Sequence, residues 1–222
     1  MLPRAWHGAI ALAVLFGLVL QVVITVRASA TPPAHAVGTL AGAPLITRLV
    51  RVISFFTVQS NVLSLIVSMQ LARDPQRDGR AWRAVRLAAL VGITVTGIVY
   101  STVLARIHEP KGWEQTVNNA IFHYVVPVLM VVGWLLFGPR PRIDRATIAA
   151  AAVWPVAWLV YTLVHGAVSK WYPYPFVDAA THGYGRVLLN VVGVLVVFVL
   201  AAAAFRLGDR RTAAGRQVPT GQ

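Results

Sequence analysis

The stretch VISFFTVQSNVLSLIVSMQL, residues 52–71, decides how the rest of this chain is read. Ser54, Thr57, Asn61, Ser64 and Ser68 follow one another at steps of three and four, so in a helix they share one face of an otherwise apolar segment. Hydroxyl and amide groups in hydrocarbon cost free energy unless they find partners, which turns that face toward other helices. At about 1.5 Å per residue the stretch covers ~30 Å, the thickness of a bilayer core. It therefore reads as a membrane-spanning helix with a polar inner stripe.

Working outward, five more apolar stretches have similar length: residues 8–26, 87–104, 120–137, 148–168 and 187–205. Charged residues make up 12% of the chain, against about 25% in soluble domains. The expectation is an all-α, polytopic integral membrane protein with six transmembrane helices in one bundle over residues 1–205. A basic, disordered tail is expected over 206–222. The N-terminus superficially resembles a signal peptide, with Arg4, an apolar run and Ala28-Ser29-Ala30. The run exceeds the usual 7–15 residues of such signals, so it reads as an uncleaved first helix.

The net charge of +13 would suggest nucleic acid in a soluble protein. Here the basic residues sit at span ends and report orientation instead. With six spans, 13 Lys and Arg fall on the side of both termini and 7 on the other. Both termini are thus predicted cytoplasmic, in a multi-pass protein of the cell membrane whose partners are membrane lipids and not nucleic acid. The absence of cysteine removes disulfides, thiolate catalysis and thiolate metal sites.

Between the spans, residues 27–51 read as a long exterior loop with little regular structure, including Thr31-Pro32-Pro33. Asp74-Pro75 and Gly138-Pro139-Arg140-Pro141 read as cytoplasmic turns. The last exterior loop, Trp171-Tyr172-Pro173-Tyr174-Pro175-Phe176-Val177-Asp178, reads either as an interfacial anchor or as a rigid lid over a cavity mouth.

With this topology the polar residues gather in the exterior half of the membrane. Thr57 comes from helix two, Tyr100 and Ser101 from helix three, and Asn119 and His123 from helix four. Tyr161 and His165, four apart on helix five, and Asn190 on helix six complete the layer. Each has an ordinary reading. A membrane Thr usually bonds its own i−4 carbonyl, and Asn190 can simply join helices. His182 and His108 lie in or beside exterior loops, and His7 and His35 lie away from the layer. Together, a hydroxyl nucleophile and a neutral imidazole base would suit acyl transfer if helices two and four touch. Asn61, Asn119 and Tyr100 are the candidate oxyanion donors. No Asp or Glu lies in any span, and Asp178 and Glu114 are the exterior acids nearest the layer.

Phe55-Phe56-Thr57, Asn119 four residues before His123, Pro127 after it, and the Trp171–Phe176 loop together resemble a family of six-helix membrane proteins. It is the androgen-induced and androgen-dependent TFPI-regulating protein (ADTRP) family, and more closely its bacterial relatives; the resemblance spans about residues 8–205 in helix order. Animal members hydrolyse fatty acid esters of hydroxy fatty acids with a Thr on helix two and a His on helix four. The resemblance implies a lipid-ester hydrolase with Thr57 as nucleophile, His123 as general base, and no cofactor or metal. Two other classes stay open from the residues alone. One is a non-enzymatic carrier or scaffold; the other is a haem- or metal-binding protein using His123 with His165, or His108 with His182.

Overall fold

The computed structural model describes residues 1–28 and 38–214, with side chains to Arg210. Thr31-Pro32-Pro33, His35 and Arg216 lie outside the described residues. The fold is helical throughout, with no strand among the described residues. The helices are α1 (Leu2–Arg27), α2 (Leu45–Ser54), α3 (Phe56–Arg73), α4 (Arg80–Val99), α5 (Gly112–Ala120), α6 (Val126–Phe137), α7 (Arg145–Ser169) and α8 (Ala179–Ala214). A π-helical segment, Tyr100–Leu104, prolongs α4; another, Ile121–Val125, joins α5 to α6. Five of the resulting rods are long and apolar enough to cross a membrane, or six if the bent pair α2–α3 counts as one span.

That bend corrects the sequence reading of the second span. Phe55 is extended (φ −69°, ψ 128°), and the axes of α2 and α3 diverge by 71°. Ser54 therefore ends one helix and Thr57 lies in the first turn of another, although Ser54, Thr57, Asn61, Ser64 and Ser68 are all buried as the stripe requires. A second correction follows, because α2 occupies part of the region expected to be irregular. It is amphipathic, with Ile46, Val50 and Ile53 exposed. The tail also departs from expectation: α8 continues through Ala214, past the Phe205 boundary. Phe205 packs edge-on against Trp134, and the buried Asp209 carboxylate accepts the Arg142 and Ile143 N–H groups at 2.6 and 2.7 Å. Those contacts hold the helix that composition alone read as disordered.

The core runs the length of α4, whose residues from Arg86 to Ile93 are all buried. Ile10 and Val14 of α1, Val67 of α3 and Val126 of α6 complete it, fully or almost fully enclosed. Gly97 lets α4 approach α6 closely, since a Cβ there would sit 3.1 Å from Pro127 Cβ and 3.3 Å from the His123 carbonyl oxygen. α7 and α8 lie further out and leave much of their apolar surface exposed, as lipid-facing helices do.

Contacts also define the two ends of the bundle. Trp6 meets Phe137, and Arg142 bonds the Gln76 and Arg77 carbonyls at 3.3 and 2.9 Å. The arginine-rich turns thus share one end with the start of α1 and the end of α8. At the other end Arg27 pairs with Glu114, and the Trp171–Phe176 loop folds over α2 and α3.

Candidate active site

Thr57 owes its availability to the break at Phe55. Several helical hydroxyls are spent on the carbonyl one turn back, among them Ser54 on Val50, Ser64 on Ser60, Thr94 on Leu90 and Thr102 on Ile98, at 2.7–2.8 Å. Ser68 instead bonds Met130 Sδ, and the Ser60, Thr96 and Thr162 hydroxyls are buried with no hydrogen-bond partner among the described residues. For Thr57 the i−4 residue is Ile53, which belongs to α2, and its carbonyl accepts Gln59 Nε2 at 2.9 Å instead. The Thr57 hydroxyl is released from the backbone and meets two side chains. His123 Nε2 lies 3.4 Å away and the Tyr174 hydroxyl 3.1 Å.

His123 reaches Thr57 from the π-helical segment Ile121–Val125. Pro127 explains the segment, because it has no N–H for the His123 carbonyl and its ring crowds that carbonyl, so the chain widens one turn before it. The imidazole stacks on Tyr100, itself the first residue of the other π segment, at 3.9 Å between ring centres. His123 Nδ1 lies 3.2 Å from the Asn119 carbonyl oxygen. A carbonyl only accepts, so Nδ1 carries the proton and Nε2 presents its lone pair to Thr57. The orienting acceptor is thus a backbone carbonyl. The two acids considered from sequence are engaged elsewhere, Asp178 with Thr181 and Glu114 with Arg27.

Tyr174 completes the cluster and was not among the site residues expected from sequence. Its phenol oxygen accepts the Thr57 N–H at 3.0 Å, one of the amides left unpaired at the start of α3. Because the Thr57 hydrogen is directed to the His123 Nε2 lone pair, the Tyr174 hydroxyl is the donor to Thr57 Oγ1. Burial pushes the Tyr174 phenol up to about 12, so it remains a donor at neutral pH. The ring is wedged among Phe55, Trp158 and Phe176. Trp171, Tyr172 and Tyr174 are all buried in protein, so this loop packs inward as a roof.

The other expected site residues divide into two sets. Tyr100 adjoins the Thr57–His123 pair and donates to or accepts from His108 Nδ1 at 3.1 Å; burial lowers the affinity of His108 for a proton. Asn61 clamps the pair, its Nδ2 bonding the Thr57 carbonyl at 2.9 Å and the Phe122 carbonyl at 3.5 Å. Asn119 contributes its backbone carbonyl, while its side-chain Oδ1 is buried without a partner among the described residues. Tyr161, His165 and Asn190 are not brought to Thr57. Tyr161 bonds Ser54 at 2.7 Å and stacks on His165, and Asn190 donates to the Phe176 carbonyl at 3.0 Å, fixing the roof to α8.

Thr57, Tyr100 and Tyr174 form one wall of a cavity of about 220 Å³ bounded by α3, α4, α7, α8 and the roof. Among the described residues, no three His, Asp or Glu side chains come together in a way that could hold a metal ion. No protein-family model, curated protein or solved structure matches this chain.

Proposed function

We propose that this chain is a six-span protein of the cell membrane, with both termini cytoplasmic, that hydrolyses lipid esters using Thr57 as nucleophile and His123 as base. The arginine-rich end then faces the cytoplasm and the Thr57 cluster lies toward the exterior surface. One observation carries the chemistry: Thr57 is released from its helix, and its hydroxyl lies 3.4 Å from an imidazole nitrogen that presents a lone pair. Catalytic pairs are commonly this long before substrate binds and tighten in the loaded complex.

In the proposed cycle Thr57 Oγ1 attacks the ester carbonyl and its proton passes to His123 Nε2. The carbonyl oxygen gains the negative charge and is met by the Tyr174 hydroxyl, which turns to it from Thr57 Oγ1 once that oxygen is bonded to carbon. Collapse expels the alcohol, which takes the proton from His123, and leaves an acyl ester on Thr57. Water then attacks that ester, giving its proton to His123. The second collapse releases the carboxylic acid and returns the proton to Thr57 Oγ1. The apolar acyl chain of a lipid ester, fatty acid esters of hydroxy fatty acids being one such class, suits an apolar cavity that ends at a hydroxyl.

The test is hydrolysis of such esters by protein in vesicles. Thr57→Ala and His123→Ala are expected to abolish it while Ser64→Ala retains it. Wild-type turnover by folded Thr57→Ala would overturn the assignment. The cavity by itself equally suits a carrier that releases lipid unchanged; the Thr57 hydroxyl lying beside the His123 imidazole favours the hydrolase.

A further inference from the structure

The cavity beside Thr57 has a composition and an opening that restrict what fills it. No charged side chain lines it; the wall is aliphatic and aromatic apart from a few hydroxyls. Burying a headgroup charge there without a partner would cost several kcal/mol or more. The hydroxyls of Thr57 and Tyr174 mark one end. The opposite end is closed by Val95, Ala152 and Phe198, of which Val95 and Phe198 are buried. Along α7 the wall runs from Ala152 to Leu159, and along α8 from Val191 to Phe198, so the chamber is about 10 Å deep at the helical rise.

The opening faces sideways. Above, Tyr174 and Val177 of the roof are buried. On α4, Val95, Thr96 and Tyr100 are buried as well. Among the wall residues, Val156 of α7 and Leu195 of α8 are instead more than half exposed, at 56% and 54%. Both lie well inside apolar helices, so the gap between them opens at the depth of lipid tails. Pro155, which cannot donate its i−4 hydrogen bond, sits in the wall beside Val156 and weakens α7 at this level.

We infer that this chamber takes the acyl chain of the ester, which enters from the bilayer between α7 and α8, and that Phe198 at the closed end sets the chain length accepted. The inference rests on the hydrolase reading for the position of the ester group, but occupation of the chamber does not require turnover. A methyl octanoate carrying a photoreactive diazirine at its chain end, uncharged as the chamber requires, seats with its ester group near residue 57 and its tail at the closed end.

The experiment uses full-length Thr57→Ala protein in phosphatidylcholine vesicles, cross-linked with the diazirine-tagged methyl octanoate, whose extended chain matches the depth of the chamber, and mapped by mass spectrometry. The expected adducts fall on α4 and α8 peptides containing Val95 and Phe198. The natural chain has no cysteine, so Leu195→Cys can be capped selectively with a bulky maleimide. Capping is expected to reduce these adducts by roughly tenfold or more, whereas capping Leu188→Cys on the lipid-facing side of α8 leaves them unchanged. Adducts spread evenly over lipid-facing residues, or insensitive to the Leu195 cap, would overturn the inference.

A second measurement uses protein with Thr57 intact. Hydrolysis of butyrate, octanoate, laurate and palmitate esters is compared with that by Phe198→Ala, whose preference should move toward longer chains by roughly tenfold, the discrimination an apolar pocket achieves for a methylene or two. Active enzyme with an unchanged chain preference defeats the inference and leaves the hydrolase reading standing. Adducts at Val95 and Phe198 in a protein that hydrolyses no ester support the chamber assignment and defeat the hydrolase reading instead.

Discussion

Replacing Tyr174 with Phe removes a single oxygen from the cluster and keeps the ring. That oxygen accepts the Thr57 N–H at 3.0 Å and lies 3.1 Å from Thr57 Oγ1. Two effects follow. The Thr57 N–H loses its partner at a buried helix start, a cost of about 1–3 kcal/mol to folding. The Thr57 hydroxyl loses the donor that points its hydrogen toward His123 and stabilises charge as it leaves. Removal of a full oxyanion-hole donor costs ~100–1,000-fold in kcat. Loss of the phenol also frees the Thr57 N–H to turn to the oxyanion, so the expected loss is smaller, about 10–100-fold. KM should change little, because the ring remains wedged among Phe55, Trp158 and Phe176. The assay is steady-state hydrolysis of a long-chain ester by purified protein in vesicles, with thermal unfolding recorded in parallel. A folded Tyr174→Phe variant with kcat within about twofold of wild type would refute the reasoning.

Three other outcomes follow from the same geometry. Hydrolysis should show an acidic limb as His123 takes a proton and loses its lone pair, with no alkaline limb from Tyr174 in the neutral range; a rate that stays flat down to the acid unfolding of the protein, recorded in parallel, would count against an imidazole base. Gly166→Ala should lower thermal stability by about 1–3 kcal/mol and reduce hydrolysis, because a Cβ there would lie 2.0 Å from Tyr172 Cε1 and push the roof outward; unchanged melting would argue against the inward-packed roof. Arg86→Met should destabilise the protein by about 1–3 kcal/mol in thermal unfolding without changing the ester-hydrolysis KM, since Arg86 donates to the buried carbonyls of Gly138 and Pro139 at the end away from Thr57.

Much of this arrangement was legible in the sequence, and the reasons for what was not are physical. Apolar length sufficed for the long helices. The stripe from Ser54 to Ser68 correctly indicated an inward face, because hydrocarbon makes a polar side chain costly wherever it is unpartnered. Thr57 and His123 stood out for the same reason, and the structure does bring them together. The bend at Phe55 carries no Pro or Gly, so local propensity gave no hint of it; the aromatic packing of Phe55 on Trp171 and Tyr174 sustains the break from residues far along the chain. The loss of the i−4 partner for Thr57 was invisible for the same reason. Pro127 was visible, but its consequence, a π turn that carries His123 onto Tyr100, depends on how the helix absorbs a missing hydrogen bond. Tyr174 was read as part of an anchor or a lid. Its role at the start of α3 required the bend to be known first.

Covalent trapping of the nucleophile tests the central claim most directly. Protein in vesicles would be treated with a long-chain fluorophosphonate, digested, and mapped by mass spectrometry. The account predicts an adduct on Thr57 that disappears in His123→Ala and persists in Ser64→Ala. An adduct on another hydroxyl, or equal labelling of a folded Thr57→Ala variant, would contradict it.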